Sequence, residues 1–409
     1  MESSIQVTPP LIEEEVPNDF LAEGEKIIEN VNQEYKNKNE LTPLTIELLK
    51  RKTIFYIENL INEVDESKAL ATAQLLAKMY ALPGNLVVYR EIYNLHTRMK
   101  WDQWGIINDL SIDKENIVTK KVNLISREIF NHYGMNPERT MSAWREAIFP
   151  IKNKTAEENL SEEGQQACVF QNFRYLKNLE DKRPHSASFL ADEFGIMNFG
   201  RYPLEMLIDQ YDNAEDMEHP YGIVITAARD YNGAFYNGRE EEVLNSLSNQ
   251  LNKENYKVRM VESGGKFTFA RFLVRFNEKY GARQKISFAI IRTHGNKDCL
   301  SLGDWSEDEE KKAITSFHSR DLKKSKTLEK IKQFFTDHAT IILDSCSTGQ
   351  RDGIAQNIFK QLGIQVLAPK KNGGIDSIDI KNNNNKLDFN VKYDTNSLFF
   401  PIKKAQKYS

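Results

Sequence analysis

Two short stretches of this chain end in side chains that could do covalent chemistry together. ISFAIIRTHGN is an apolar run that delivers His294 followed by Gly295, and ATIILDSCSTGQRDG is a second run that delivers Cys346. A thiolate is a nucleophile. An imidazole that titrates near neutrality can take the thiol proton and return it to a leaving group. Gly295 has no Cβ and lets backbone come close to a substrate carbonyl, and its N–H with that of Cys346 would make a donor pair for an oxyanion. Each residue alone has a plainer reading. A cysteine after an apolar strand is most often a small core residue, and a histidine at a strand end is most often a hydrogen-bonded boundary group. The joint occurrence, about fifty residues apart, is what points to chemistry.

Other chemistries fit less well. CSTGQR looks like a phosphate cradle, but such a cradle needs five residues between its cysteine and arginine, and only four separate Cys346 from Arg351. There is no Gly-x-Ser-x-Gly elbow. SGGK lacks the upstream glycine of a phosphate-binding loop, because position 260 is Met. His318 is a spare imidazole with no apolar run before it, which makes it a poor rival to His294.

The surrounding pattern explains how such residues would be positioned. From 221 onward, short apolar strands (YGIVITAA, YKVRMV, ISFAII, ATIIL, IQVLA) alternate with amphipathic helices over REEEVLNSLSNQL, FTFARFLVRFNEKYG, KTLEKIKQFFTDH and GIAQNIFKQLG. That alternation predicts an α/β domain with a mainly parallel sheet and helices on both faces. Functional groups gather at the carboxyl ends of such strands, where His294 and Cys346 fall. Residues 372 to 401 predict a hairpin around an Asn-rich loop beside that edge.

An apolar block leading to His-Gly, followed by an apolar block leading to Cys, resembles the caspase-like superfamily of cysteine peptidases (caspases, metacaspases, legumain, gingipains, separase and CHAT-type proteases). The likeness covers about 221 to 370. It implies a three-layer α/β/α fold, His294 as acid and base, Cys346 as nucleophile, an oxyanion site at Gly295 and Cys346, and a protein or peptide substrate with no cofactor or metal. The Gln-Ala-Cys signature of caspases is absent, and DSCSTG is closer to the metacaspase type. There, an acid two residues before the cysteine selects Arg or Lys before the cut, which would give Asp344 that role. The alternative is that Asp344 caps the turn and touches no substrate. Arg229 and Asp230, after the first strand, could border the same pocket or be solvated loop charges. The cluster Glu307, Asp308, Glu309 and Glu310 lacks the spacing and glycine of a calcium loop and reads as a solvated loop. Lys311, Lys312, Arg320, Lys323 and Lys324 in the same insertion would offer a basic-directed protease sites for self-processing.

The first half is harder to read. Residues 1–40 are acidic, carry three of the 12 prolines, and look like a tail or a frayed helix. Residues 41–215 predict a mostly helical domain of unknown role, open to a protein partner, with Thr42 as N-cap, Pro43 at the first helical position, and a stripe of Leu44, Leu48, Phe55, Leu60, Ile61 and Val64. Residues 152–190 are polar and weakly patterned. The acidic stretch 212–220 is the expected boundary, with the peptidase-like domain at 220–409. The chain has 409 residues, which favours two domains. A net charge of −4 gives no footprint for nucleic acid. Three scattered cysteines rule out a disulfide framework. No signal peptide or membrane span is evident, so a cytoplasmic protein is expected, with export by a route using no cleaved signal left open. A non-catalytic caspase-like scaffold is the competing reading.

Overall fold

The computed structural model describes residues 20–83, 90–91, 112–151, 154–155, 157–303, 313–322, 330–383, 386–394, 403–404 and 406–408. The chain forms two compact units, Met1–Ile129 and Phe130–Ser409. Among the described residues no helix is long and apolar enough to cross a membrane.

The first unit is helical: α1 (Phe20–Lys38), α2 (Pro43–Asn62), α3 (Glu66–Tyr80) and most of α4 (Ile112–His132). Thr42 caps α2 with Pro43 in the first turn, as the sequence predicts, and Asp65 caps α3 through the N–H groups of Ser67 and Lys68. One expectation is resolved here and one corrected. Of the two readings for residues 1–40, a tail or a frayed helix, the residues from 20 on take the helical one, because Ile27 and Val31 find a core and Gly24 lets Leu75 approach where a Cβ would sit 2.4 Å from it. The buried face of α2 is Leu49, Thr53, Tyr56, Ile57 and Leu60, whereas Leu44 and Val64 are 81% and 93% exposed. An expected helix at 86 to 100 falls largely outside the described residues.

The second unit begins with α5 (Pro137–Ile148), α6 (Glu162–Lys182), α7 (Ser186–Phe194) and α8 (Leu204–Asp212). The weakly patterned region 152–190 thus contains a 21-residue helix, started by Ser161 as N-cap. The expected boundary at 212–220 is not where the compact units divide. Helices before it are tied to the sheet: Gln210 on α8 exchanges two hydrogen bonds with the backbone of Met260, accepting from its N–H at 2.6 Å and donating to its carbonyl at 2.9 Å.

The sheet is α/β in type. Strands β1 (Tyr221–Ala227), β2 (Lys257–Ser263), β3 (Ile286–Arg292), β7 (Phe335–Asp344) and β8 (Gln365–Ala368) are parallel, in the order β8-β7-β3-β1-β2, with antiparallel β11 (Gln406–Tyr408) beyond β8. All five predicted strands are present. The strand at 335 starts earlier than expected, taking over residues 335–338 that the helical pattern had claimed. On one face Ile223, Ile225, Ala289 and Ile291 meet Phe269 and Leu273 of α10 (Lys266–Tyr280) and Ile358 and Leu362 of α11 (Ile354–Leu362). On the other face Phe288 packs on Phe389 of β10 (Lys386–Tyr393), which pairs with β9 (Ile375–Asn383) in the expected hairpin. Gly222 makes room for the Phe288 ring, which a Cβ would overlap at 2.0 Å. Helix α9 (Gly238–Lys253) reaches β9 through Gln250, which donates to the Ile378 carbonyl and accepts from the Ile380 N–H. The sheet therefore has layers on both faces, and its parallel strands end at one common edge.

Candidate active site

β3 and β7 are neighbours in the sheet, and their last residues, Arg292 and Asp344, are register partners. Two residues further along each chain come His294 and Cys346. The two strand ends stay together beyond the ladder, because the Thr293 N–H donates to the Asp344 carbonyl at 3.0 Å. His294 opens β4 (His294–Asn296), which forms a small antiparallel sheet with β5 (Cys299–Ser301) and β6 (Ser316–His318). Gly295 is required by this closeness. A Cβ there would lie 2.3 Å from the Ser345 Oγ and 2.7 Å from the Cys299 carbonyl.

His294 is held on three sides. Its ring lies 4.6 Å from that of Tyr231 and 5.4 Å from that of Phe235, centroid to centroid, and its Nε2 is 3.1 Å from Asp230 Oδ1. Asp230 also accepts from the N–H groups of Ala234 (3.0 Å) and Phe235 (2.8 Å). Burial pushes its carboxyl up, but the bond from His294, the Arg201 charge and the Phe235 N–H outweigh burial and hold it below the usual carboxylate range. An ionised carboxylate only accepts, so His294 must carry its proton on Nε2. That leaves Nδ1 with the lone pair. Asp230 is fully buried behind the imidazole, and this corrects the expectation that it borders a substrate pocket.

Cys346 is partly exposed at the end of β7. The next residue, Ser347, has a φ of 58°, a left-handed conformation that is costly for a side-chain-bearing residue. It is held by neighbours: its N–H donates to the Lys371 carbonyl (3.0 Å), and its Oγ bonds Asn372 Oδ1 (2.6 Å). Tyr231, against His294, also feels the cysteine. Burial raises its phenol, Lys154 opposes, and Glu158 and Cys346 add to the rise. Arg351, the arginine of the phosphate-cradle pattern, is 94% exposed and points to no enclosed loop.

Asp344 is buried and already has a cation. Its Oδ2 is 3.5 Å from Arg292 Nε, and its Oδ1 accepts from the Ile375 N–H at 3.0 Å. The Arg292 guanidinium also donates to Glu240 Oε2 at 3.0 Å and lies over the Phe235 ring. Two carboxyls thus share one guanidinium. Burial, with Asp344's charge added and Arg292 opposing, pushes Glu240 up to about 7; burial also raises Asp344 against the pull of Arg292. Gly374 covers the pair, and a Cβ on it would sit 3.1 Å from Glu240 Oε1. The cation beside Asp344 is thus the chain's own Arg292, which the sequence reading, with its choice between a substrate-selecting acid and a turn cap, did not include. Sequence reasoning missed both Arg292 and Glu240. The signal for the first was an arginine inside an apolar strand; the second was hidden in the acidic run Glu240-Glu241-Glu242.

Arg229 stands elsewhere. Its guanidinium donates to the Phe149 carbonyl at 2.8 Å, and the residue lines a cavity beyond the ends of β1 and β2. The acidic cluster 307–310 and Lys311, Lys312, Lys323 and Lys324 lie outside the described residues. Comparison with known proteins adds no relative: no family model matches the chain, and neither a curated protein nor a solved structure does.

Proposed function

We propose that the chain is a caspase-like cysteine endopeptidase in which Cys346 attacks a peptide carbonyl and His294 handles the protons. The observation that carries this reading is the register of β3 and β7, which brings a histidine with a fixed tautomer and a partly exposed cysteine to adjacent strand ends. In the first step the thiol proton passes to Nδ1 of His294 and the sulfur bonds to the carbonyl carbon. The N–H groups of Gly295 and Cys346 are the donors assigned to the oxyanion, where one such donor is worth about 3 kcal/mol. Nδ1–H then protonates the leaving amine as the C–N bond breaks, leaving a thioester. Water, losing its proton to Nδ1, attacks the thioester, and the acid product and free thiol result. Asp230 stays ionised throughout and stabilises the imidazolium.

A preference for Arg or Lys before the cut belongs to the proposal through the likeness of DSCSTG to the metacaspase type; Arg292 already answers Asp344 and Glu240, so the buried cluster does not itself call for a second cation. The test is labelling with an acyloxymethylketone peptide carrying Arg. Wild-type protein should form a covalent adduct at Cys346, and Cys346→Ala and His294→Ala should form none. A correctly folded wild-type chain that no such probe labels, whatever its terminal residue, would mean that the domain is a scaffold.

A further inference from the structure

His294 leans on a ring that is itself held from outside the stretch resembling caspase-like peptidases. Tyr231, in the loop after β1, lies 4.6 Å from the imidazole, centroid to centroid, with the two planes at 41°. Its main chain is fastened to α5 and to the segment that follows it. The Asp230 N–H donates to the Ala147 carbonyl at 2.6 Å, and the Tyr231 carbonyl accepts from the Leu160 N–H at 2.8 Å. Gly233 lets Leu160 come close, since a Cβ there would lie 2.9 Å from Leu160 Cδ1. The segment also braces itself. Asn159 accepts from the Ile151 N–H (2.8 Å) and donates to the Ile151 carbonyl (3.0 Å), and the Lys154 N–H donates to that same carbonyl (3.0 Å).

This turn sets a cation over the Tyr231 ring. Lys154 Nζ is 5.7 Å from the ring centroid and 2.9 Å from Glu158 Oε1. An ammonium within about 6 Å of an aromatic face is attracted by the ring quadrupole. The Glu158 bond, opposed by burial and helped by Tyr231, holds this ammonium above its usual range, so it is charged at neutral pH. Phe235, the other ring against the imidazole, carries a cation as well, because the Arg292 guanidinium lies 5.1 Å from its centroid. Both aromatic neighbours of His294 are thus pinned by a positive charge, one buried and one partly exposed. The geometry points to a positioning chain that runs from Lys154 through Tyr231 to His294. We propose that Lys154 is a positioning residue for the proposed reaction: it pins the Tyr231 ring, and the ring fixes the plane in which Nδ1 of His294 meets the thiol. The inference rests on the dyad reading above and adds to it a residue from ahead of the sheet.

A peptide library varied around the cut and screened with the full chain supplies a substrate, and kcat and KM are then measured separately. Lys154→Met should lower kcat about threefold and leave KM unchanged. Tyr231→Leu should lower kcat about tenfold, and Tyr231→Phe, which keeps the ring, should recover most of that loss. Lys154→Met added to Tyr231→Leu should cost nothing more, because the ring through which it acts is gone. Thermal denaturation shows which variants are folded. The Lys154 side chain is 26% exposed, so its single variant spares the core and carries the test even where Tyr231→Leu unfolds the chain. A Lys154→Met variant with the kcat of wild type overturns the inference and leaves the dyad standing. So does a rise in KM alone, which would put Lys154 on the substrate, or an equal fall in kcat with and without Tyr231→Leu. Absence of any Cys346-dependent cleavage removes the dyad, and the positioning chain with it.

Discussion

Asp230→Asn is the sharpest single perturbation of the proposed site. The carboxylate sits 3.1 Å from His294 Nε2, is fully buried, and stays ionised because the His294 bond, Arg201 and the Phe235 N–H outweigh burial. Asparagine keeps the volume and an oxygen for a backbone N–H. It loses the charge, and its amide can donate to Nε2, which would move the imidazole proton to Nδ1, where it cannot accept from the thiol. A hydrogen bond to a charged group is worth about 1.5–3 kcal/mol. Its loss at the imidazolium stage corresponds to roughly a 10- to 150-fold fall in kcat, before any tautomer penalty. KM should change little, since Asp230 touches no substrate. The assay is steady-state cleavage of a peptide identified by the labelling and library experiments, with thermal denaturation as the structural control. The stability difference between the two proteins has a defined sign. A carboxyl held below its ordinary value contributes fully at neutral pH, and its contribution is lost as pH falls through that lowered value. The gap in Tm should therefore be widest near pH 7 and close in strong acid. A variant with kcat within twofold of wild type, or one that raises KM alone, would refute the idea that Asp230 orients His294.

Two further outcomes follow from the packing around the dyad. Gly295→Ala places a methyl 2.3 Å from Ser345 Oγ, so it should cost about 1–3 kcal/mol in denaturant unfolding and depress cleavage, because the strand ends must separate to admit it. Glu240, raised to about 7 in the fold, should make the chain less stable as pH rises from about 4.5 through 7, by no more than about 3 kcal/mol. Glu240→Gln should flatten that stretch of the Tm–pH curve, and an unchanged curve would dissociate Glu240 from the Arg292 cluster.

Much of the sheet was legible because buried parallel strands are written as β-branched runs, and YGIVITA and ATIIL admit little else. The placement of His294 and Cys346 just past neighbouring strand ends was legible for the same reason: parallel strands must end together. What escaped was whatever depends on partners distant in sequence. Nothing local in Asp230 says that its carboxylate faces His294 rather than solvent, and Glu240 looks like its acidic neighbours until Arg292 reaches it. The α2 stripe was misassigned because a hydrophobic count includes Leu44, in the first turn, and Val64, beyond the C-cap, while Thr53 and Tyr56 on the true inner face read as polar. The boundary near 215 was misplaced because a change of texture from helix to strand need not be a change of core.

The exchange between Gln210 and Met260 bears on how this molecule can be divided. A single glutamine side chain imitates one residue of a missing strand and occupies the outer rim of β2. A fragment beginning at residue 220 would leave that rim bare, and it would strip Glu262 of the Met197 and Asn198 groups that satisfy it. Such a fragment would be sticky where the whole chain is closed. Inheritance and excision alike must therefore treat the helices from about 130 and the sheet as one indivisible piece.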